Sequence, residues 1–225
     1  MRPLRKPVLL AMVMMAMLPR AASAAEPGPE SPARQEEAGA TSPRDLFKLR
    51  AQEIGIAAGY GAAVESFLFL PIGETSTEEL REVKYVYVAP RWGIGISDPL
   101  GGDAWYRGNF ELLVEGAFYI PFEPTDGFGG GISAIFRYNF LPKGLLIPFV
   151  EVGPGILITD FGLEDRADGF NFTFQTGLGF HFFLAERTAL TAEARFHHIS
   201  NAGIDDPNRG LNSVMVLIGV TIFLK

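Results

Sequence analysis

Residues 170–182 read FNFTFQTGLGFHF, and this stretch decides the fold. Bulky apolar residues occupy nearly every even position, whereas polar residues and glycines occupy the odd ones. Successive side chains of a β-strand point to opposite faces, so strict alternation predicts a strand with one apolar and one polar face. The same alternation recurs along the chain, for example in Phe110–Ile120, Phe128–Phe140 and Leu146–Ile158.

The alternation predicts eight strands, each long enough to cross a bilayer when tilted. Short turns are expected after the second, fourth and sixth strands, and mostly longer loops after the others, which is typical of outer-membrane barrels with both termini in the periplasm. We therefore predict an all-β fold, an eight-stranded antiparallel transmembrane β-barrel. The predicted strands are 52–61, 83–96, 104–120, 127–140, 145–159, 170–183, 187–200 and 210–224.

The apolar face is continuous and built from large side chains, whereas the polar face contains few lysines and many glycines. Six or seven bulky residues per strand would overfill the lumen of an eight-stranded barrel, so the apolar face is expected to point outward. The alternative is a soluble lipocalin-like barrel with the opposite orientation. On the first interpretation the paired lumen charges are Glu111, Glu115, Arg137, Glu151, Glu193 and Arg195, and an aromatic girdle is expected at Trp92, Trp105, Tyr106 and Tyr119.

Composition narrows the classes of function. The 225 residues are 48% hydrophobic, yet no uninterrupted apolar run after residue 18 is long enough for a membrane-spanning helix. The net charge of −7 argues against a nucleic-acid partner. The chain has no cysteine, which excludes disulfides, a thiol nucleophile and cysteine-ligated metal sites. We predict no cofactor and no metal centre.

The N-terminal residues resemble an export signal followed by a linker. Basic residues precede an apolar segment at 8–18, and Ala22-Ser23-Ala24 fits a cleavage site, so residues 1–24 are predicted to be a signal peptide. A short membrane anchor is the alternative. The stretch rich in Pro, Glu, Gly and Ala that follows predicts a disordered tether over 25–48, with the barrel at 49–225.

Two polar residues lie on the lipid-facing row of the seventh strand. His198 and Ser200 follow Phe196 on this row, whereas His197 belongs to the lumen row. Residues two apart on a strand share a face about 6.6 Å apart along the chain, which suits a histidine base and a serine nucleophile where the strand end bends. The amide of Asn201 could donate a hydrogen bond to an oxyanion. An incidental polar strand end is the alternative.

The segment His198-Ile199-Ser200-Asn201-Ala202, followed by Pro207-Asn208-Arg209-Gly210 and a last strand, resembles the lipid A 3-O-deacylases of the PagL type. These are eight-stranded outer-membrane barrels that hydrolyse an acyl ester of lipopolysaccharide. Their H-x-S-N motif lies on the outer wall of strand seven. The resemblance implies that Ser200 is the nucleophile, His198 the general base and Asn201 the oxyanion donor, with lipid A as substrate, outer-membrane lipids as neighbours and a homodimer as one possible assembly.

The chain departs from this family at the third member of the catalytic triad. The deacylases carry a glutamate twelve residues after the serine, where this chain has Asn212. Asn212 heads the outward row of the last strand, so it can lie beside His198 and hold one tautomer without supplying a charge. Asp205 or Asp206 could act as the acid instead. Three functions stay open: a serine esterase, a non-catalytic barrel that binds lipid or stabilises the membrane, and a soluble periplasmic lipid binder.

The stretch Glu164–Asp168 is a second candidate site. Its acids could bind a divalent cation that bridges lipopolysaccharide phosphates. A solvated loop is the alternative.

Overall fold

The computed structural model describes residues 42–65 and 77–224. Within these residues, eight antiparallel strands follow one another in chain order, and pairing of the first with the last closes the barrel. A short 3₁₀-helix, Pro43–Leu46, precedes the barrel, and helix α1, Glu78–Arg81, lies between the first two strands. The predicted fold is confirmed. The strands are β1 Gln52–Ala63, β2 Lys84–Gly95, β3 Gly108–Glu123, β4 Phe128–Phe140, β5 Leu146–Asp160, β6 Gly169–Ala185, β7 Thr188–Ser200 and β8 Leu211–Phe223.

Helices contribute little to this fold. In the two described ranges, no helix is long and apolar enough to cross a membrane.

Two connections differ from the predicted alternation of lengths. The β2–β3 connection extends to Arg107, because the Arg107 side chain donates to the Gly102 carbonyl at 2.8 Å and holds the chain from Ala104 onward in the turn. The β3–β4 connection covers only residues 124–127, because β3 continues to Glu123 and pairs there with Lys84 of β2. The third strand was predicted at 104–120 and is found at Gly108–Glu123, so it begins and ends later than the alternation of residues indicated.

The outer wall of the barrel is apolar. Large side chains of the predicted outward rows are exposed on every strand except β7, among them Ile158 and Val216, whose exposed fractions are 66% and 63%. Water would make such a continuous surface costly, whereas lipid covers it without penalty. The predicted orientation is confirmed, and the lipocalin-like alternative is wrong because its apolar residues would line the lumen.

Charged side chains fill the lumen as ion pairs. Arg195 lies 2.8 Å from a carboxylate oxygen of Glu115, and Arg91 contacts the other oxygen at 2.6 Å. Arg137 pairs with Glu151 at 3.0 Å. The six predicted lumen charges are all buried, which confirms the inward row. Removing one partner of such a buried network leaves a charge without compensation, so each charge depends on the others to remain buried.

One predicted girdle residue faces the lumen instead. Tyr119 is fully buried, and its hydroxyl lies 2.9 Å from Nε2 of His197. Tyr119 stands on an odd position of β3, so the row parity and not its nearness to the strand end decides where its ring points. Trp92, Trp105 and Tyr106 are exposed as predicted.

Apolar residues pack at both ends of the barrel. At the end where β1 begins and β8 ends, here called the terminal end, Phe47 packs against Phe223 with ring centroids 5.0 Å apart. Leu80 of α1 is buried at the opposite end, here called the loop end. The packed part therefore begins before residue 49. The predicted signal peptide and residues 25–41 of the predicted tether lie outside the described residues, whereas residues 43–47 form the 3₁₀-helix and this contact.

Candidate active site

The register of the last two strands brings the predicted site residues together at the loop end. Ser200 ends β7, and His198 lies two residues before it on the same outward row. Asn212, the second residue of β8, pairs directly with His198. The neighbouring β6 places Phe174 opposite His198 and Phe172 opposite Ser200. The site therefore lies on the outer wall, between a polar pair and the apolar surface of β6.

A short hydrogen bond joins His198 to Asn212. The distance between His198 Nδ1 and Asn212 Oδ1 is 2.7 Å. Because a carbonyl oxygen only accepts, Nδ1 must carry the hydrogen, and Nε2 then keeps its lone pair. Asn212 is buried although it stands on an outward row. This arrangement leaves Nε2 of His198 able to accept a proton.

His198 and Ser200 are close in sequence and share a face, but these two described residues do not hydrogen bond to each other. Such bonds are often long in enzymes without substrate and shorten when substrate binds. Gly210 makes room for the imidazole, since a Cβ at this position would lie only 2.9 Å from Cε1 of His198. A larger residue at 210 would displace the ring.

Asn201 faces the loop that follows β7. Its Nδ2 donates to the Asp205 carbonyl at 2.7 Å, and its Oδ1 accepts from the Gly203 amide at 2.9 Å. Its own backbone amide donates to Oδ1 of Asn208 at 3.1 Å. A primary amide nitrogen carries two hydrogens, so one remains for other partners. In this structure Asn201 shapes the loop beside Ser200, and its role as oxyanion donor stays a prediction.

Neither Asp205 nor Asp206 forms a hydrogen bond with His198 in this structure. Both are exposed loop residues, and Oδ1 of Asp205 accepts from the amide of Asp206 at 3.0 Å. The Nδ1 position of His198, where the acid would bind, is occupied by Asn212. The geometry therefore favours Asn212 as the third residue.

The acidic stretch Glu164–Asp168 does not form a cation site. Asp168 accepts hydrogen bonds from the amides of Phe161 and Gly162 at 2.6 and 3.0 Å, so its carboxylate closes the loop. Arg166 points into the loop end of the barrel and is buried. In residues 42–65 and 77–224 there is no group of acids and histidines that could hold a metal ion. The inward direction of Arg166 was not predicted, because the residues around it in the loop show no alternation from which a direction could be inferred.

An apolar groove of about 360 Å³ runs across the outer wall from β3 to β6. Its floor contains Ala134, whose small side chain leaves space between larger neighbours such as Ile132 and Ile156. At the β6 side the groove ends at Phe172, the residue opposite Ser200. The apolar groove thus ends on the strand next to the candidate nucleophile.

The chain resembles solved outer-membrane proteins in structure, whereas comparison with curated proteins finds no match. The outer-membrane enzyme PagL gives 18% identity, coverage of 74% of this chain and 97% of that one, and a TM-score of 0.49. Neisserial surface protein A gives 14% identity, coverage of 77% and 97%, and a TM-score of 0.48.

The family comparison includes the candidate site. The family model described as lipid A 3-O-deacylase (PagL) matches residues 81–221, which is more than half of the chain and includes β7 and the start of β8. The chain therefore belongs to the lipid A 3-O-deacylase (PagL) family.

Proposed function

We propose that this protein is an outer-membrane serine esterase that removes an ester-linked acyl chain from lipid A. The observation that carries the proposal is the hydrogen bond between His198 and Asn212 beside Ser200, on a wall otherwise covered by apolar side chains. Polar and ionisable residues are costly where they face lipid and mark functional sites. Family membership supports the same reaction.

The proposed reaction is acyl transfer through Ser200. Nε2 of His198 takes the hydroxyl proton while Oγ attacks the ester carbonyl, and a tetrahedral oxyanion forms. When this intermediate collapses, His198 returns the proton to the departing sugar oxygen, which leaves an acyl-enzyme. Water then attacks the acyl carbonyl and gives a proton to His198, which passes it to Oγ of Ser200 as the bond between Oγ and the acyl carbon breaks and the fatty acid leaves. Asn212 holds the imidazole in the required tautomer throughout.

The proposed substrate fits the surroundings of the site. A lipid in the membrane needs no deep pocket, because its acyl chain can lie along the wall. We propose that the groove ending at Phe172 receives the acyl chain, since its lining is apolar and its end lies opposite Ser200. The carbonyl of a chain held there would be near the nucleophile, and the sugar head group would remain at the membrane surface.

The experiment that tests the proposal compares lipopolysaccharide from cells that express the wild-type chain, Ser200→Ala or Ser97→Ala. Ser97 is the matched control, because its hydroxyl accepts from the Phe110 amide at 2.9 Å in the β2–β3 turn, at the terminal end. We expect mass spectrometry to show loss of one acyl chain with the wild type and Ser97→Ala, and none with Ser200→Ala. Equal acylation in all three samples would reject the esterase.

Asn212 also favours a second candidate, a barrel that keeps the family fold but binds lipid without cleaving it. An asparagine cannot offset the positive charge that His198 gains during catalysis. The two candidates differ in the reactivity of Ser200. A fluorophosphonate probe should label Ser200 in folded protein if the serine is activated, whereas a non-catalytic barrel would give the same labelling as Ser200→Ala.

A further inference from the structure

Arg166, in the loop between β5 and β6, joins three pieces of chain around the candidate site. Its side chain is 3% exposed. Nη1 donates to the Ile199 carbonyl at 3.0 Å and to the Arg209 carbonyl at 3.5 Å, while Nη2 donates to Oδ1 of Asn171. One planar group therefore links the end of β7, the end of the β7–β8 loop and the start of β6.

Both carbonyls belong to peptide groups that carry site residues. The Ile199 carbonyl is part of the peptide that includes the nitrogen of Ser200. The Arg209 carbonyl is part of the peptide that includes the nitrogen of Gly210, which lies against the His198 ring. A guanidinium presents its donors in a rigid fork, so it fixes the two peptides relative to each other. The serine and the surface under the imidazole are thus held by the same group.

The backbone of the same loop strengthens this connection. Arg166 and Asn208 form an antiparallel β-bridge, and the amide of Ala167 donates to the Pro207 carbonyl at 2.7 Å. The side chain of Asn208 in turn accepts from the amide of Asn201 at 3.1 Å, directly after Ser200. The β5–β6 loop is therefore built onto the β7–β8 loop, and Arg166 lies where they meet.

The charge of Arg166 has no close counterion. None of the described acids forms an ion pair with its guanidinium, although the more distant charge of Asp168 acts on it. Burial lowers the pKa of Arg166 to about 10, so the group is still positive at neutral pH. Ester hydrolysis places negative charge on the carbonyl oxygen, and a fixed positive charge in a water-poor site stabilises it. Arg166 supplies such a charge one peptide away from Ser200.

We propose that Arg166 is a positioning residue of the esterase site, an inference that rests on the function proposed above. It fixes the peptides of Ser200 and Gly210, and its charge favours the transition state over the bound ester. The role is distinct from that of His198 and Asn212, because Arg166 acts through the backbone and through its charge and does not touch the reacting atoms.

The test uses the full-length protein refolded in detergent, with Arg166→Met, Arg166→Lys and Arg187→Met assayed for acyl release from lipid A beside Ser200→Ala. Arg166→Met should lower kcat about 10- to 100-fold while KM changes little, because the lost interaction favours the transition state. Arg166→Lys restores the charge but not the fork and should recover part of kcat. Arg187 is the matched control, since it donates to the Leu224 carbonyl at 2.9 Å at the terminal end.

Amide hydrogen exchange of residues 199–203 gives a readout that does not depend on activity. It should speed up in Arg166→Met and stay unchanged in Arg187→Met. If Ser200→Ala is inactive while Arg166→Met keeps both the wild-type kcat and the wild-type exchange, the role of Arg166 is overturned and the esterase stands. If Ser200→Ala releases acyl chains as well as the wild type, the esterase fails, and exchange alone decides whether Arg166 positions this segment. Should Arg166→Met not fold, the kcat and exchange of Arg166→Lys decide in the same way.

Discussion

The replacement Asn212→Asp tests whether a missing negative charge limits the reaction. Aspartate has nearly the shape of asparagine, so its carboxylate would occupy the position from which Oδ1 now accepts the Nδ1 hydrogen of His198 at 2.7 Å. The tautomer of the imidazole is the same in both proteins. Only the interaction with the positive imidazolium, which forms in the transition state, changes.

The size of the effect follows from the geometry. Two unit charges about 4 Å apart attract by about 4 kcal/mol at an effective dielectric constant near 20. Part of this gain is lost because the buried carboxylate also gives up hydration, so we expect a net gain of about 1.5–3 kcal/mol in the transition state. This corresponds to a rise in kcat of roughly 10- to 150-fold. Because the carboxylate lies beside a neutral ring in the resting protein, the thermal stability of Asn212→Asp should fall.

The assay measures acyl release from lipid A in mixed micelles by mass spectrometry, at saturating substrate. Asn212→Leu is the comparison, since it keeps the volume but removes the acceptor, and its kcat should fall below that of the wild type. An Asn212→Asp protein with wild-type kcat, measured while Ser200→Ala is inactive, would refute the reasoning. In that case the missing negative charge at position 212 does not limit the reaction.

Three further variants test other parts of the structure. Phe47→Ala should lower the free energy of unfolding by about 3–5 kcal/mol in urea titrations from lipid vesicles, because a buried ring is lost at the terminal end; an unchanged midpoint would mean that this contact does not stabilise the barrel. Arg137→Met should cost about 3–5 kcal/mol in the same assay, since Glu151 loses a partner at 3.0 Å, and a more stable variant would contradict the role given to the lumen charges. Ala134→Phe fills the groove and should raise KM about tenfold for long acyl chains, a loss of about 1.4 kcal/mol, with short esters unaffected. Equal KM values for both ester lengths would place the chain elsewhere.

The alternation of residue types was sufficient to predict the barrel and the direction of most side chains. On a strand, parity alone fixes the face, which is why the sequence placed His198 and Asn212 on the outer wall and Arg195 in the lumen. Tyr119 follows the same rule. Its odd position on β3 indicates the lumen, where its ring lies, whereas its nearness to the strand end wrongly suggested an exposed girdle residue.

In the loops no alternation fixes the direction of a side chain, so the contacts of loop residues were not predicted. The amide of Asn201 bonds within the β7–β8 loop because that loop turns back on itself, as the positive φ angles of Ala202 and Gly203 show. Arg166 reads as one charge in an exposed acidic stretch, yet its contacts come from Ile199 and other distant residues. Contacts between loops depend on tertiary structure, and local sequence does not encode them.

If Ser200 acts as proposed, its outward position has a kinetic consequence. A nucleophile on the lipid side of a barrel wall meets its substrate by diffusion within one leaflet, and not from the aqueous solution. The turnover of a lipid substrate then depends on its mole fraction in the membrane and on how fast lipids move past β6 and β7. Stiffer or more tightly cross-bridged leaflets would lower the turnover even when the total amount of substrate is unchanged. The measured rate would therefore depend on the physical state of the membrane as well as on the substrate concentration.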